Sequence, residues 1–192
     1  MKLFKQTLLA FVACAGIASA QQPQSLFDGK TLQGWKAVTC EAEVVEGAIL
    51  IKAGNGILLA DKEYADYIFE CDWKALGTNM WDSGVYFRCG LPTGTFPWPK
   101  QYQVNLRKGL EGTIDGADKA KAASLYKKGE WNHFKLTVKG KTAELKFNGE
   151  KAWARDGIEP AKGHLCLQAE VPGGGQFLFK NIAVLELDAP VK

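Results

Sequence analysis

Two short stretches place reactive side chains at alternate positions. One reads Asp82-Ser83-Gly84-Val85-Tyr86-Phe87-Arg88 and the other Tyr102-Gln103-Val104-Asn105-Leu106-Arg107. Along an extended chain successive side chains leave opposite faces, so Val85, Phe87, Val104 and Leu106 are expected to point one way. Asp82, Tyr86, Arg88, Gln103, Asn105 and Arg107 then point the other. A sheet that only meets water would carry mostly Lys, Glu and Thr there. Phenol, guanidinium and amide groups, with Trp81 and Trp98 in the flanking loops to stack on C–H faces, suit a polyhydroxylated ligand.

The stretch Ile68-Phe69-Glu70-Cys71-Asp72-Trp73-Lys74 alternates in the same way. Phe69, Cys71 and Trp73 are expected in a core, and Glu70, Asp72 and Lys74 away from it. Nearer the C-terminus, Leu165, Leu167 and Ala169 are expected inside, with Gln168 and Glu170 outside and His164 on the parity of Gln168. If these strands share one surface, Glu70, Asp72, Lys74, Tyr86, Arg88, Gln103, Asn105, Gln168 and Glu170 line a single polar basin. Asp72, Arg88 and Glu170 are its candidates for catalysis. Glu70, Lys74, Trp81, Asp82, Tyr86, Trp98, Tyr102, Gln103, Asn105, His164 and Gln168 are its candidates for holding a ligand. His133, following Trp131-Asn132 at a strand start, is expected to make a structural hydrogen bond.

The elements that must position these groups read as short strands between turn signals, with little helical periodicity. They lie near Trp35–Val38, Ala48–Lys52, Gly56–Leu59, Tyr67–Lys74, Gly84–Arg88, Tyr102–Leu106, His133–Val138, Thr142–Phe147, Gly163–Gln168 and Gln176–Leu187. Gly140 and Asn148-Gly149 supply hairpin turns. Ala120–Leu125 is long enough for one helical turn. The pattern predicts an all-β sandwich or barrel of antiparallel strands. Gly90–Lys100, with three prolines and Trp98, is a stiff loop. Gly109–Lys128 is polar and long for a connection, a frequent setting for recognition.

Residues 1–20 read as an export signal: Lys2 and Lys5, then apolar Leu8–Ala18, then the small residues Ala18-Ser19-Ala20. Cys14 as a lipid anchor fits poorly after Phe11-Val12-Ala13, so release into the periplasm or medium is expected. Residues 21–192 have the size of one domain. Without Lys2 and Lys5 the chain has 22 basic against 21 acidic residues. That balance offers no electrostatic basis for binding nucleic acid, and no other apolar run is long enough to span a bilayer. Cys40, Cys71, Cys89 and Cys166 allow three disulfide pairings; on parity Cys71 and Cys89 could meet inside, or all could stay thiols. None has zinc-like spacing. Gly173-Gly174-Gly175 reads as a turn, and there is no G-x-S-x-G elbow.

Several segments resemble the secreted bacterial family of 3-keto-disaccharide hydrolase domains. They are Ser25-Leu26-Phe27-Asp28-Gly29-Lys30-Thr31-Leu32-Gln33-Gly34-Trp35, Asp72-Trp73-Lys74, the Asp82–Arg88 stretch, Gly129-Glu130-Trp131-Asn132-His133, and Leu167-Gln168-Ala169-Glu170 with Phe179-Lys180-Asn181-Ile182. The resemblance implies a concanavalin A-like jelly-roll β-sandwich of two antiparallel sheets, with a sugar site on the concave sheet. It also implies cleavage of glycosides whose ring is oxidised at carbon 3. The chain departs from the family at Gln103 and Lys108, where the pattern carries carboxylates. Gln103 cannot accept a proton.

A ketone at carbon 3 acidifies the hydrogen on carbon 2. A base there, a cation by the ketone oxygen and an acid by the leaving group would cleave the bond by elimination or hydrolysis. Asp72 or Glu170 is the expected base and Arg88 the expected oxyanion partner, with Tyr86 or Lys74 assisting. An enolate would gain from a divalent ion, which Asp72 and Glu170 could ligate, although no motif demands one. As an ordinary glycosidase pair, these two carboxylates would need to stand about 5 to 10 Å apart. Two other readings stand beside the enzyme: a non-catalytic carbohydrate-binding module, favoured by Gln103, and a structural domain of the cell envelope.

Overall fold

A computed structural model of the chain describes residues 21–116 and 119–187. The expected export signal, with Cys14, lies outside the described residues. The chain runs β1 (Gln24–Ser25), β2 (Trp35–Val45), β3 (Ala48–Tyr64), β4 (Tyr67–Ala75), β5 (Gly84–Cys89), β6 (Gln103–Asn105), α1 (Lys119–Ser124), β7 (Asn132–Lys139), β8 (Thr142–Phe147), β9 (Glu150–Asp156), β10 (Gly163–Glu170), α2 (Val171–Gly174) and β11 (Phe177–Glu186). Among the described residues no helix is long and apolar enough to cross a membrane.

One antiparallel sheet, in the order β6-β5-β10-β3-β11-β4-β7-β8-β9, curls over on itself. The Asn55–Tyr64 half of β3 pairs with β10, and its Ile49–Ile51 end pairs with β11. The fold line is a corner in β2 and β3, where strands pass between layers through irregularities. The β2–β3 register slips on either side of Cys40 and Glu41. Gly54 takes φ 92°, and a Cβ on Gly56 would lie 2.1 Å from the Val38 carbonyl oxygen, so the two strands can cross this closely only through glycines. Core-facing parity changes across the corner: Ile49 and Ile51 point inward before it, Leu58 and Ala60 after it.

The result is a jelly-roll β-sandwich. Its first layer holds β6, β5, β10 and the far half of β3; its second holds β9, β8, β7, β4 and β11. Phe69, Cys71 and Trp73 of β4 meet Val85 and Phe87 of β5, Val104 of β6 and Leu165 and Leu167 of β10 in one buried core. Trp73 anchors it, stacked on Tyr126 with centroids 5.6 Å apart and tilted against Phe134 and Phe147. Asn148 and Gly149, both at positive φ, form the hairpin turn expected after β8.

Two expectations change. The separate strands near Ala48–Lys52 and Gly56–Leu59 are one bent strand, because the glycines between them kink the ladder without ending it. Strand β9 was not expected from the sequence: its Glu, Lys, Arg and Asp positions face solvent at the sheet edge, and only Ala152 and Trp153 are buried.

Candidate functional site

Because Cys71 and Trp73 point into the same core as Val85 and Leu167, the alternate side chains of β4 leave on one outer face of the sandwich and those of β5, β6 and β10 on the other. The expected single basin is therefore divided. Asp72, Glu70 and Lys74 lie on the outer face of the second layer. There Asp72 Oδ1 meets His133 Nδ1 at 2.7 Å, and its Oδ2 accepts from Asn181 Nδ2 at 2.6 Å. Glu70 pairs with Lys135 at 2.6 Å. His133 thus makes the expected structural bond, with Asp72 as its partner. Asp72 and Glu170 cannot ligate one ion from opposite faces.

Arg88 is also redirected. Tyr86 pairs with Cys166 and Cys89 with His164, so Phe87 and Arg88 together oppose Leu165 in a β-bulge, with Arg88 at φ 46°. The extra residue reverses the alternation, and the Arg88 side chain is 0% exposed. Its guanidinium donates to the Ala65, Gly140 and Pro160 carbonyls and to Asp66 Oδ1 at 2.9 Å, tying three loops together. It has no place on the ligand face.

One aromatic expectation changes as well. Trp81 is 2% exposed, and its indole N–H donates to the buried Glu111 carboxylate at 2.8 Å, so it packs in the core instead of stacking on a ligand. Tyr102 stacks on Phe87, and its hydroxyl donates to the Gly157 carbonyl and accepts from the Glu159 N–H, which makes it a wall of the site. Trp98 does lie on the outer face of the first layer, packed against a small cluster of Ile57, Leu59, Tyr86, Cys89 and Cys166 and bonded to the Ala169 carbonyl at 3.2 Å. His164 is on this side but at the far end of β10, with Nδ1 against the Ala60 carbonyl.

The remaining groups do converge. Gln103 Nε2 donates to Gln168 Oε1 at 2.5 Å, and Gln168 Nε2 donates to Glu170 Oε2 at 2.9 Å. Gly84 makes this row possible: a Cβ there would lie 2.1 Å from Gln103 Nε2 and 2.6 Å from its Cγ. Asp82 Oδ2 stands 3.6 Å from Arg107 Nε. Burial pushes the Glu170 carboxyl above its ordinary range and the Asp82 charge adds to this, while Arg107 and the Gln168 amide pull it back. Burial raises Asp82 too, against the pull of Arg107 and the Ser83 N–H. The Tyr86 phenol is pushed up by burial and by Glu170, and so stays protonated. A cation does stand on this face, but it is Arg107 and not Arg88.

Beside this row a cleft of about 470 Å³ opens along β6, within the range of small-molecule sites. Tyr86, Gln103 and Asn105 line one side, and Lys100, Asp115, Arg155 and Glu159 are among the residues of the others. The last four come from loops and from β9, and no local pattern in the sequence joins them to β6. The Asn105 side-chain oxygen caps the Arg107 N–H at 2.6 Å and sets the turn that carries the arginine. The row and the cleft thus bring two carboxyl groups, an arginine, a protonated phenol and several amides onto one outer face.

The model of a family described as the 3-keto-alpha-glucoside-1,2-lyase-like domain matches residues 22–185. Two solved structures from Parabacteroides distasonis ATCC 8503, each described as a "putative glycosyl hydrolase", share the fold. One is 23% identical with a TM-score of 0.69, covering 86% of this chain and 100% of that one. The other is 22% identical with a TM-score of 0.66, covering 85% and 93%. The carbohydrate-binding module CBM66 from Bacillus subtilis is similar in fold at 14% identity and a TM-score of 0.59, covering 78% of this chain and 93% of its own. No curated protein matches the chain.

Proposed function

The chain belongs to the 3-keto-alpha-glucoside-1,2-lyase-like domain family, a carbohydrate-active one, and on that footing we propose that it cleaves glycosidic bonds of sugars oxidised at carbon 3. The reaction takes place on the outer face of β5, β6 and β10. The ketone lowers the barrier to removing the carbon 2 hydrogen, and Glu170, whose partial burial makes it a stronger base than a solvated glutamate, takes that proton. Arg107 faces the charge that develops on the ketone oxygen. The enolate expels the oxygen on carbon 1, which the Tyr86 phenol meets with a proton donor. Asp82 holds Arg107 in place. Gln103 and Gln168 fix the carboxylate and leave amide groups for sugar hydroxyls.

The observation that carries this reading is the placement of two carboxyl groups, Asp82 and Glu170, both held above their ordinary range beside one arginine and one protonated phenol. Carboxyl groups shifted by burial beside specific charge partners cluster at functional sites. A second reading, a module that binds sugar without cleaving it, is favoured by Gln103: an amide stands where the family pattern has an acid, and it is engaged with Gln168.

Incubation of the purified protein with a 3-keto-glucoside bearing a chromogenic aglycone separates the two. Aglycone release, with an unsaturated 3-keto sugar as the first product, supports the enzyme. Saturable binding without release supports the module. Export through residues 1–20 fits a substrate met outside the cytoplasm, and the N-terminus of protein made in a secreting host tests it.

A further inference from the structure

The bulge at Arg88 has a second effect, on sulfur. Without it, Cys89 would continue the inward face of Val85 and Phe87 while Cys166 faced outward. With it, Cys89 turns onto the outer face of the first layer, diagonally across the β5–β10 ladder from Cys166. The two Sγ atoms stand 3.0 Å apart, both side chains 0% exposed, in a small apolar cluster with Ile57, Leu59 and Tyr86. The pairing considered from sequence, Cys71 with Cys89, is not made: Cys71 lies in the main core. Cys40 is occupied by the Ile57 carbonyl at 3.1 Å.

We propose that Cys89 and Cys166, free thiols here, are the site of a disulfide that forms when the chain folds under oxidising conditions. Two cysteines on neighbouring strands, aimed at each other on one face, need little backbone movement to bond. The oxidant is a low-molecular-weight disulfide such as oxidised glutathione. One cysteine thiolate attacks it, releasing one reduced glutathione and leaving a mixed disulfide. The other thiolate then displaces the second glutathione. Two S–H bonds are exchanged for one S–S bond, and the two protons and two electrons end on two glutathione thiols. Trp98 packs over the finished cluster, so the exchange runs before that loop settles. An oxidising compartment is where such a bond persists.

The bond would join residues 77 positions apart and pin the start of the loop that carries Trp98. Its test does not depend on sugar chemistry. The protein is unfolded, refolded with oxidised and reduced glutathione, alkylated under denaturing conditions and mapped without reduction. The expected result is one linked peptide pair containing Cys89 and Cys166, with Cys40 and Cys71 alkylated. The oxidised form should also melt on the order of 5 to 10 °C above the reduced form, a difference absent in Cys166→Ser. Alkylation of both Cys89 and Cys166 after oxidative refolding, or a link through Cys40 or Cys71, would overturn the proposal. So would equal melting of oxidised and reduced protein.

Discussion

Asp72 and Glu170 stand on opposite outer faces of the sandwich. Asp72 is spoken for by His133 and Asn181, Glu170 by Gln168, and the residues next to each in sequence, Cys71 with Trp73 and Ala169, share one core. Only one of the two carboxylates can therefore meet a ligand bound along β6, and the cleft lies on the Glu170 side.

The buried arginine yields a stability prediction. Arg88→Ala removes a guanidinium that satisfies three backbone carbonyls and Asp66. Breaking one partner of a buried pair costs about 3 to 5 kcal/mol, whereas a surface arginine would cost well under one. Denaturant unfolding should show the larger loss. A cost within surface range would mean that Arg88 does not clamp the loops.

Gly84 leaves room for the Gln103 side chain. Gly84→Ala places a Cβ where the Gln103 side chain lies, so Gln103 must leave Gln168. If the displaced amide no longer reaches a sugar hydroxyl, losing that one hydrogen bond, about 1 to 1.5 kcal/mol, corresponds to roughly ten-fold weaker sugar binding. Titration of the variant with a sugar ligand checks this. Unchanged affinity would remove Gln103 from the site.

Much of this was legible in the alternation of side chains. Val85, Phe87, Val104, Leu106, Leu165 and Leu167 are buried as expected, and Tyr86, Gln103, Gln168 and Glu170 share the outer face. Alternation reports whether a side chain faces the core; it says nothing of which layer a strand joins. That is why alternation alone groups Asp72 with Glu170. A bulge is equally silent: Arg88 has no glycine or proline beside it to announce the reversed parity. Trp81 looked like a loop aromatic because its partner, Glu111, lies 30 residues further on.

Glu170 also ties stability to pH. Its folded value is raised above the ordinary 4.5 by burial. Below the ordinary value both folded and unfolded chains hold the proton. As pH rises through the interval up to the folded value, the unfolded chain ionises first, and the stability associated with this group is lost. Glu170→Gln removes that term, so the variant should gain stability relative to the wild type as pH rises from 4 toward neutrality. Parallel stability curves for the two proteins would contradict the burial of this carboxyl. Because a base must be ionised to act, the acid limb of kcat/KM should likewise fall above the ordinary carboxylate range.

The most direct measurement compares Glu170→Gln with Asp72→Asn in cleavage of a 3-keto-glucoside. A general base accounts for about 10² to 10⁴ in rate, so Glu170→Gln should lose at least a hundred-fold in kcat while Asp72→Asn stays within a few-fold of wild type. Loss of turnover in Asp72→Asn with Glu170→Gln intact, both folded, would put the chemistry on the other face and contradict this account.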